Sequence, residues 1–136
     1  MIFGEIHAKP FIPLTAQSKE DVARKKELRD FIKLNISNLD DVISSCRDKE
    51  KVSVEICFSL YNGVENNVSR YDKDLDNLLK IVLDVLPDFM DNKSENREIG
   101  LGIIQNDKQV FEIHSYKKFV QDESKEGIDI IISEWN

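Results

Sequence analysis

No stretch of this 136-residue chain comes near the roughly 18 consecutive apolar residues that a membrane helix requires, so no spanning helix is expected. The opening Met1-Ile2-Phe3-Gly4-Glu5 lacks the basic-then-apolar layout of a secretory signal. Cysteine is scarce: Cys46 and Cys57 form no CxxC pair, and His7 and His114 are the remaining soft ligands. A disulfide scaffold or a zinc site is therefore not expected, and a reducing cytoplasm is the natural setting. Repeats and low-complexity tracts are missing, and no shift in composition marks a domain boundary. What is present is one domain's worth of chain, residues 1–136, with 40% apolar residues to fill a modest core.

Basic charge is also in deficit, with 19 Lys and Arg against 26 Asp and Glu and a net charge of −7. Residues 1–50 balance at nine basic and nine acidic groups, and residues 51–136 carry ten against seventeen, so the whole excess lies in the second part. An acidic total argues against nucleic-acid binding, which draws most of its affinity from phosphate contacts. The argument weakens if the excess acid is gathered at a cation site.

Hydrophobic period sets the expected elements. Residues 2–7 read as a short strand stopped by Pro10 and Pro13. Ser18-Lys19-Glu20-Asp21 has capping-box spacing, and Leu28, Phe31, Ile32, Ile36 and Leu39 follow at helical steps. Asn38 is placed to recap a second short helical piece through Val42 and Ile43. Arg24, Lys25, Lys26, Arg29 and Lys33 then cover the first helix's remaining surface as a solvated face, with Arg24, Lys25 and Arg29 as candidate phosphate contacts. From Val52 to Tyr61 the period is two, a strand with one buried face ended at Asn62-Gly63. Leu75, Leu78, Leu79, Val82 and Leu86 restore a helical stripe from Asp74 to Leu86, stopped by Pro87. Residues 88–98 read as a solvated loop, and Leu101–Gln105 and Gln109–Tyr116 as strands flanking Asn106-Asp107-Lys108. Gly127 to Ser133 reads as a final strand. The expected fold is a single α/β (α+β) domain with a mixed or antiparallel sheet and about two main helices.

The densest chemistry is Asp74-Leu75-Asp76-Asn77-Leu78-Leu79-Lys80. Two carboxylates two residues apart converge only if the first precedes the helix and the second lies in its first turn, where the stripe places the boundary. Lys80 follows Asp76 on the same helix face, and Asp84 extends that face by another turn. With a third acid from elsewhere, such a cluster suits Mg²⁺ or Mn²⁺ and metal-assisted phosphodiester hydrolysis. The same residues also suit a plainer reading. First-turn acids favour the helix dipole, and an Asp four before a Lys is an ordinary pair worth about 0.2–0.5 kcal/mol.

The segment Asp74-x-Asp76-Asn77-Leu78-x-Lys80-x-x-x-Asp84-x-Leu86 resembles the signature of the RusA-type Holliday junction resolvases. Asn106-Asp107-Lys108-Gln109-Val110-Phe111-Glu112-Ile113 resembles that family's downstream motif, and Lys117 falls where its trailing lysine stands. Asn106 occupies the place of the first acid of the family's acidic pair. The resemblance implies a small mixed fold, an intertwined homodimer and Mg²⁺-dependent nicking of four-way DNA junctions in recombination and repair. It implies that Asp74, Asp76 and Asp107 bind metal and that Lys80 joins them as the catalytic lysine. Lys117 and Lys118 follow the strand that begins beside Asp107 and are the better candidate DNA contacts.

Rival expectations belong to other classes. One is a catalytically inactive module of the same fold that binds branched DNA or a protein partner. Another is a related nuclease acting on another DNA structure.

Overall fold

The computed structural model describes residues 1–16, 21–62, 64–65, 68–69, 73–88 and 99–136. A four-stranded mixed sheet carries the fold, in the order β1-β6-β2-β5. Its strands are β1 (Ile2–Ala8), β2 (Val52–Tyr61), β5 (Val110–Val120) and β6 (Gly127–Glu134). A small antiparallel pair, β3 (Val64–Glu65) and β4 (Val68–Ser69), follows β2 and has no counterpart among the expected elements. Three helices complete the described residues: α1 (Asp21–Asn35), α2 (Leu39–Cys46) and α3 (Leu75–Val85).

β6 pairs antiparallel with β1 on one side and with β2 on the other. β5 lies parallel to β2, so the chain leaves the end of β2, returns through α3 and enters β5 in the same direction. This crossover sets α3 beside the start of β5. The helices pack on one sheet face, where Ile6, Val54, Ile56, Phe58, Ile128, Ile130 and Ile132 meet Leu28, Ile32, Val42, Leu78 and Val82 in one buried cluster. Gly127 lies where β6 passes β1: a Cβ there would come within 2.1 Å of the Ala8 carbonyl oxygen.

Several local expectations are revised. β2 was expected to bury one face, yet Cys57 and Ser59 on the other face are also buried. The buried carboxylate of Glu126, beside the 3₁₀ turn at Glu123–Lys125, accepts the Tyr61 backbone N–H at 3.0 Å. That turn lies against β2 and closes over this end of the strand. Residues 101–105 form no strand. Gly102 takes φ +73°, and Ile104 forms only an isolated bridge with Pro87, while Ile103 and Ile104 are buried against the end of α3. Asn38 stands at the start of α2 but donates its amide to the Glu5 carbonyl at 3.1 Å rather than capping the helix. The Ser18–Glu20 part of the expected cap, Gly63 of the expected turn and residues 89–98 of the expected loop lie outside the described residues. No helix among the described residues is long and apolar enough to cross a membrane.

Candidate functional site

α3 begins where the sequence stripe requires. Asp74 holds the N-cap position with extended backbone, φ −69° and ψ 132°, and its carbonyl accepts the Leu78 N–H at 3.1 Å. Its carboxylate makes no capping hydrogen bond and stands exposed at the helix entrance. Leu78, Ile81, Val82 and Val85 drive the opposite side of α3 into the core, which turns Asp76, Lys80 and Asp84 outward along one flank.

Asp107 reaches that flank by a separate route. It opens a 3₁₀ turn at Asp107–Gln109, directly before β5. Asn106 caps the turn by accepting the Lys108 N–H at 2.9 Å, a task an aspartate at the same position would also perform. Gln109 holds the turn from below. Its Oε1 accepts the Gln105 and Asn106 N–H groups at 2.6 and 3.1 Å, and its Nε2 donates to the carbonyls of Arg47 and Lys49. Gln109 was read only as part of a motif. The signal for its positioning task was its place three residues after a capping Asn.

Asp76, Lys80, Asp84 and Asp107 together line one groove of about 390 Å³. Leu79, Leu83, Val110 and Ile113 supply its apolar walls. Asp76 Oδ1 accepts the Asn77 N–H at 3.0 Å. Asp84 is taken by Lys25 of α1, with Nζ 2.7 Å from Oδ2. Asp74 is not part of the groove lining, so three of the four expected catalytic residues share the groove and the fourth stands at the mouth of the same helix.

The expected DNA contacts divide. Lys118 is exposed on the sheet face turned away from the helices, in register with Ser59. Lys117 donates to the Lys73 carbonyl at 2.8 Å, bracing β5 against the peptide that leads into Asp74. The solvated basic face expected on α1 is corrected: Lys25 is 7% exposed and Arg29 9%. Lys25 is buried because α1 packs on α3 and its ammonium there meets Asp84, and Arg29 pairs with Asp30 at 3.1 Å. Arg24 is half-buried. His114 lies exposed on β5 beside Glu112, and Trp135 packs on Phe111 with ring centroids 5.0 Å apart. Both cysteines are free and buried, and burial pushes the Cys46 thiol up to about 11 although nearby Lys49 acts the other way.

Among the described residues no group of three His, Cys, Asp or Glu side chains is gathered tightly enough to hold a metal ion alone. The donor chemistry of the groove fits a hard ion of the Mg²⁺ type, which takes one or two carboxylates and fills its other positions with water and substrate phosphate. No protein-family model, curated protein or solved structure matches the chain.

Proposed function

We propose that the protein is a Mg²⁺-dependent endodeoxyribonuclease of the RusA type, cutting four-way DNA junctions by phosphodiester hydrolysis in a reducing cytoplasm. The observation that carries this reading is the meeting of Asp76 and Lys80 on α3 with Asp107 before β5 in one groove. Those residues come from the two separate segments on which the family resemblance rests.

In this reading Asp76 and Asp107, with Asp74 at the helix entrance, would hold Mg²⁺ or Mn²⁺. The ion, when bound, supplies an acidified water and neutralises charge on the phosphate. Lys80 places an ammonium in the same groove, where it attracts a phosphate oxygen and stabilises the negative charge that grows as the diester is attacked. Leu79, Leu83, Val110 and Ile113 make the other walls of that groove apolar, a setting that screens an ammonium's pull on an anion less than open water does. Lys117 fixes the peptide ahead of Asp74, and Gln109 fixes the turn that carries Asp107. We further propose that the enzyme is a homodimer, since a four-way junction has two-fold symmetry and requires two symmetric cuts.

The test is cleavage of a mobile four-way junction beside its arms as linear duplexes, in Mg²⁺ or EDTA. Paired nicks confined to the junction and to Mg²⁺ are expected. Asp76→Asn, at an exposed position, should lower the rate about 100-fold or more while lowering the melting temperature by only a few degrees, because a first-turn charge is worth under about 1 kcal/mol to the helix and the amide oxygen can still accept the Asn77 N–H. A folded, Mg²⁺-loaded protein that binds the junction without cutting it would instead be the inactive binding module.

A further inference from the structure

Lys80 has a carboxylate one turn away on each side of it along α3, Asp76 four residues before and Asp84 four residues after. Both distances allow an ion pair. Among the described residues Lys80 nevertheless has no ion-pair partner within 4.0 Å. Asp76 is engaged by the Asn77 N–H, and Asp84 is turned to Lys25 at 2.7 Å.

The Lys25 side chain is only 9% exposed, whereas the Asp84 side chain keeps 31% of its surface. An ammonium this deeply buried requires a matched partner, and a leucine in its place would fill the same α1–α3 contact without a charge. The pair is therefore poorly explained by packing alone. It does have one consequence for the groove: of two carboxylates within reach of Lys80, the C-terminal one is committed elsewhere.

We infer that Lys25 is a positioning residue, holding Asp84 away from Lys80 so that the Lys80 ammonium stays uncommitted in the groove and ready to take a phosphate oxygen. The inference rests on the nuclease reading for the identity of the anion, a DNA phosphodiester. The geometry that frees Lys80 does not depend on it.

The experiment compares the wild-type protein with Lys25→Met, Lys25→Arg and the double variant Lys25→Met/Asp84→Asn. The first readout is acylation of Lys80 in metal-free protein by an N-hydroxysuccinimide ester at fixed pH, followed by mass spectrometry. The second is junction cleavage in Mg²⁺. Lys25→Met releases the Asp84 carboxylate to Lys80, so both the labelling rate and the cleavage rate should fall about three- to fivefold, the range for a partly exposed ion pair. The double variant should recover both, and Lys25→Arg should retain both.

Unchanged Lys80 labelling in folded Lys25→Met overturns the inference, whatever happens to stability, and leaves Lys25 as an α1–α3 contact only. A double variant that stays as slow as Lys25→Met overturns it too. Where Lys25→Met does not fold, Lys25→Leu, which fills the α1–α3 contact and likewise offers Asp84 no donor, is read against the same two outcomes. If no variant cleaves DNA yet labelling follows the expected order, the nuclease reading fails and the role of Lys25 stands.

Discussion

Asp129 lies on the sheet face turned away from the helices, its side chain 16% exposed. It takes a hydrogen bond from His7 Nδ1 at 2.6 Å and an ion pair from Lys9 at 2.8 Å. Burial pushes its carboxyl upward, but the hydrogen bonds and charges of Lys9 and His7 outweigh burial and hold it below its ordinary value of 3.8. A carboxyl depressed in the folded state binds its proton more readily when the chain is unfolded. It therefore contributes stability above its unfolded value, and that contribution is lost as pH falls from about 3.8 through the lower folded value. The urea midpoint of the wild-type protein should drop across that window. Asp129→Asn should be less stable than wild type at pH 6, and the two midpoints should converge as the solution is acidified. A gap that persists unchanged below the window would show that Asp129 acts through shape rather than charge. The same distinction between charge and place applies to Lys25. Its spacing on α1 gave it to solvent, because helical period alone does not reveal that a neighbouring helix will bring Asp84 across to meet it.

The turn before β5 is the element on which the site depends most. Gln109 joins that turn to the link between α2 and β2 through the carbonyls of Arg47 and Lys49. Gln109→Ala removes those bonds and leaves the Gln105 and Asn106 N–H groups to water. Unfolding free energy should fall by about 1–2 kcal/mol, as for a small number of partly exposed hydrogen bonds. Junction cleavage, read well below the melting temperature, should fall about tenfold, because Asp107 is displaced without being removed. Gln109→Glu keeps the two acceptor contacts and should recover part of that loss. The elements that sequence period made legible are those with one sustained buried face. Val52–Leu60 and Ile128–Ile132 alternate, and Leu78–Val82–Leu86 recurs at helical steps, since each meets the core throughout its length. β5 was read to Tyr116 and runs to Val120 because, at the edge of the sheet, no residue from Phe111 to Phe119 is fully buried and no period survives. Leu101–Gln105 misled for the opposite reason. Its isoleucines are buried by packing against the end of α3, which requires apolar residues but no ladder. The pairing of Asp76 with Asp107 in one groove was legible only through two motifs in order. No local rule states which strand a helix will return beside.

At the scale of the whole molecule, the sheet has one edge that is long and apolar. β5 spans eleven residues, pairs among the described residues only with β2, and exposes Phe111 at 50%, Ile113 at 40%, Tyr116 at 46% and Phe119 at 56%. An unpaired edge of this kind is a ready template for another strand unless charge, proline or a covering loop blunts it. Lys117, Lys118 and Glu112 are the charges β5 carries, and Lys117 is turned inward to the Lys73 carbonyl. A homodimer joined through β5 would cover the aromatic residues and, with the two edge strands antiparallel, would relate two copies of the Asp107 turn by one two-fold axis at opposite ends of the joined strands, giving one site for each of two symmetric cuts. It would also gather acidic surface from two chains of charge −7, so Mg²⁺ and low salt should favour DNA association strongly. Sedimentation at micromolar concentration should give a dimer of the 15.8 kDa chain, and Phe119→Lys, which places a charge on that edge without touching the groove lining, should shift it toward monomer. If the monomer still nicks the junction, its two cuts should become uncoupled in time, with singly nicked junctions accumulating. If the wild-type protein sediments as a dimer and Phe119→Lys sediments and cuts like it, β5 is not the dimer edge and the axis lies elsewhere on the chain, whereas a monomeric wild-type protein overturns the dimer.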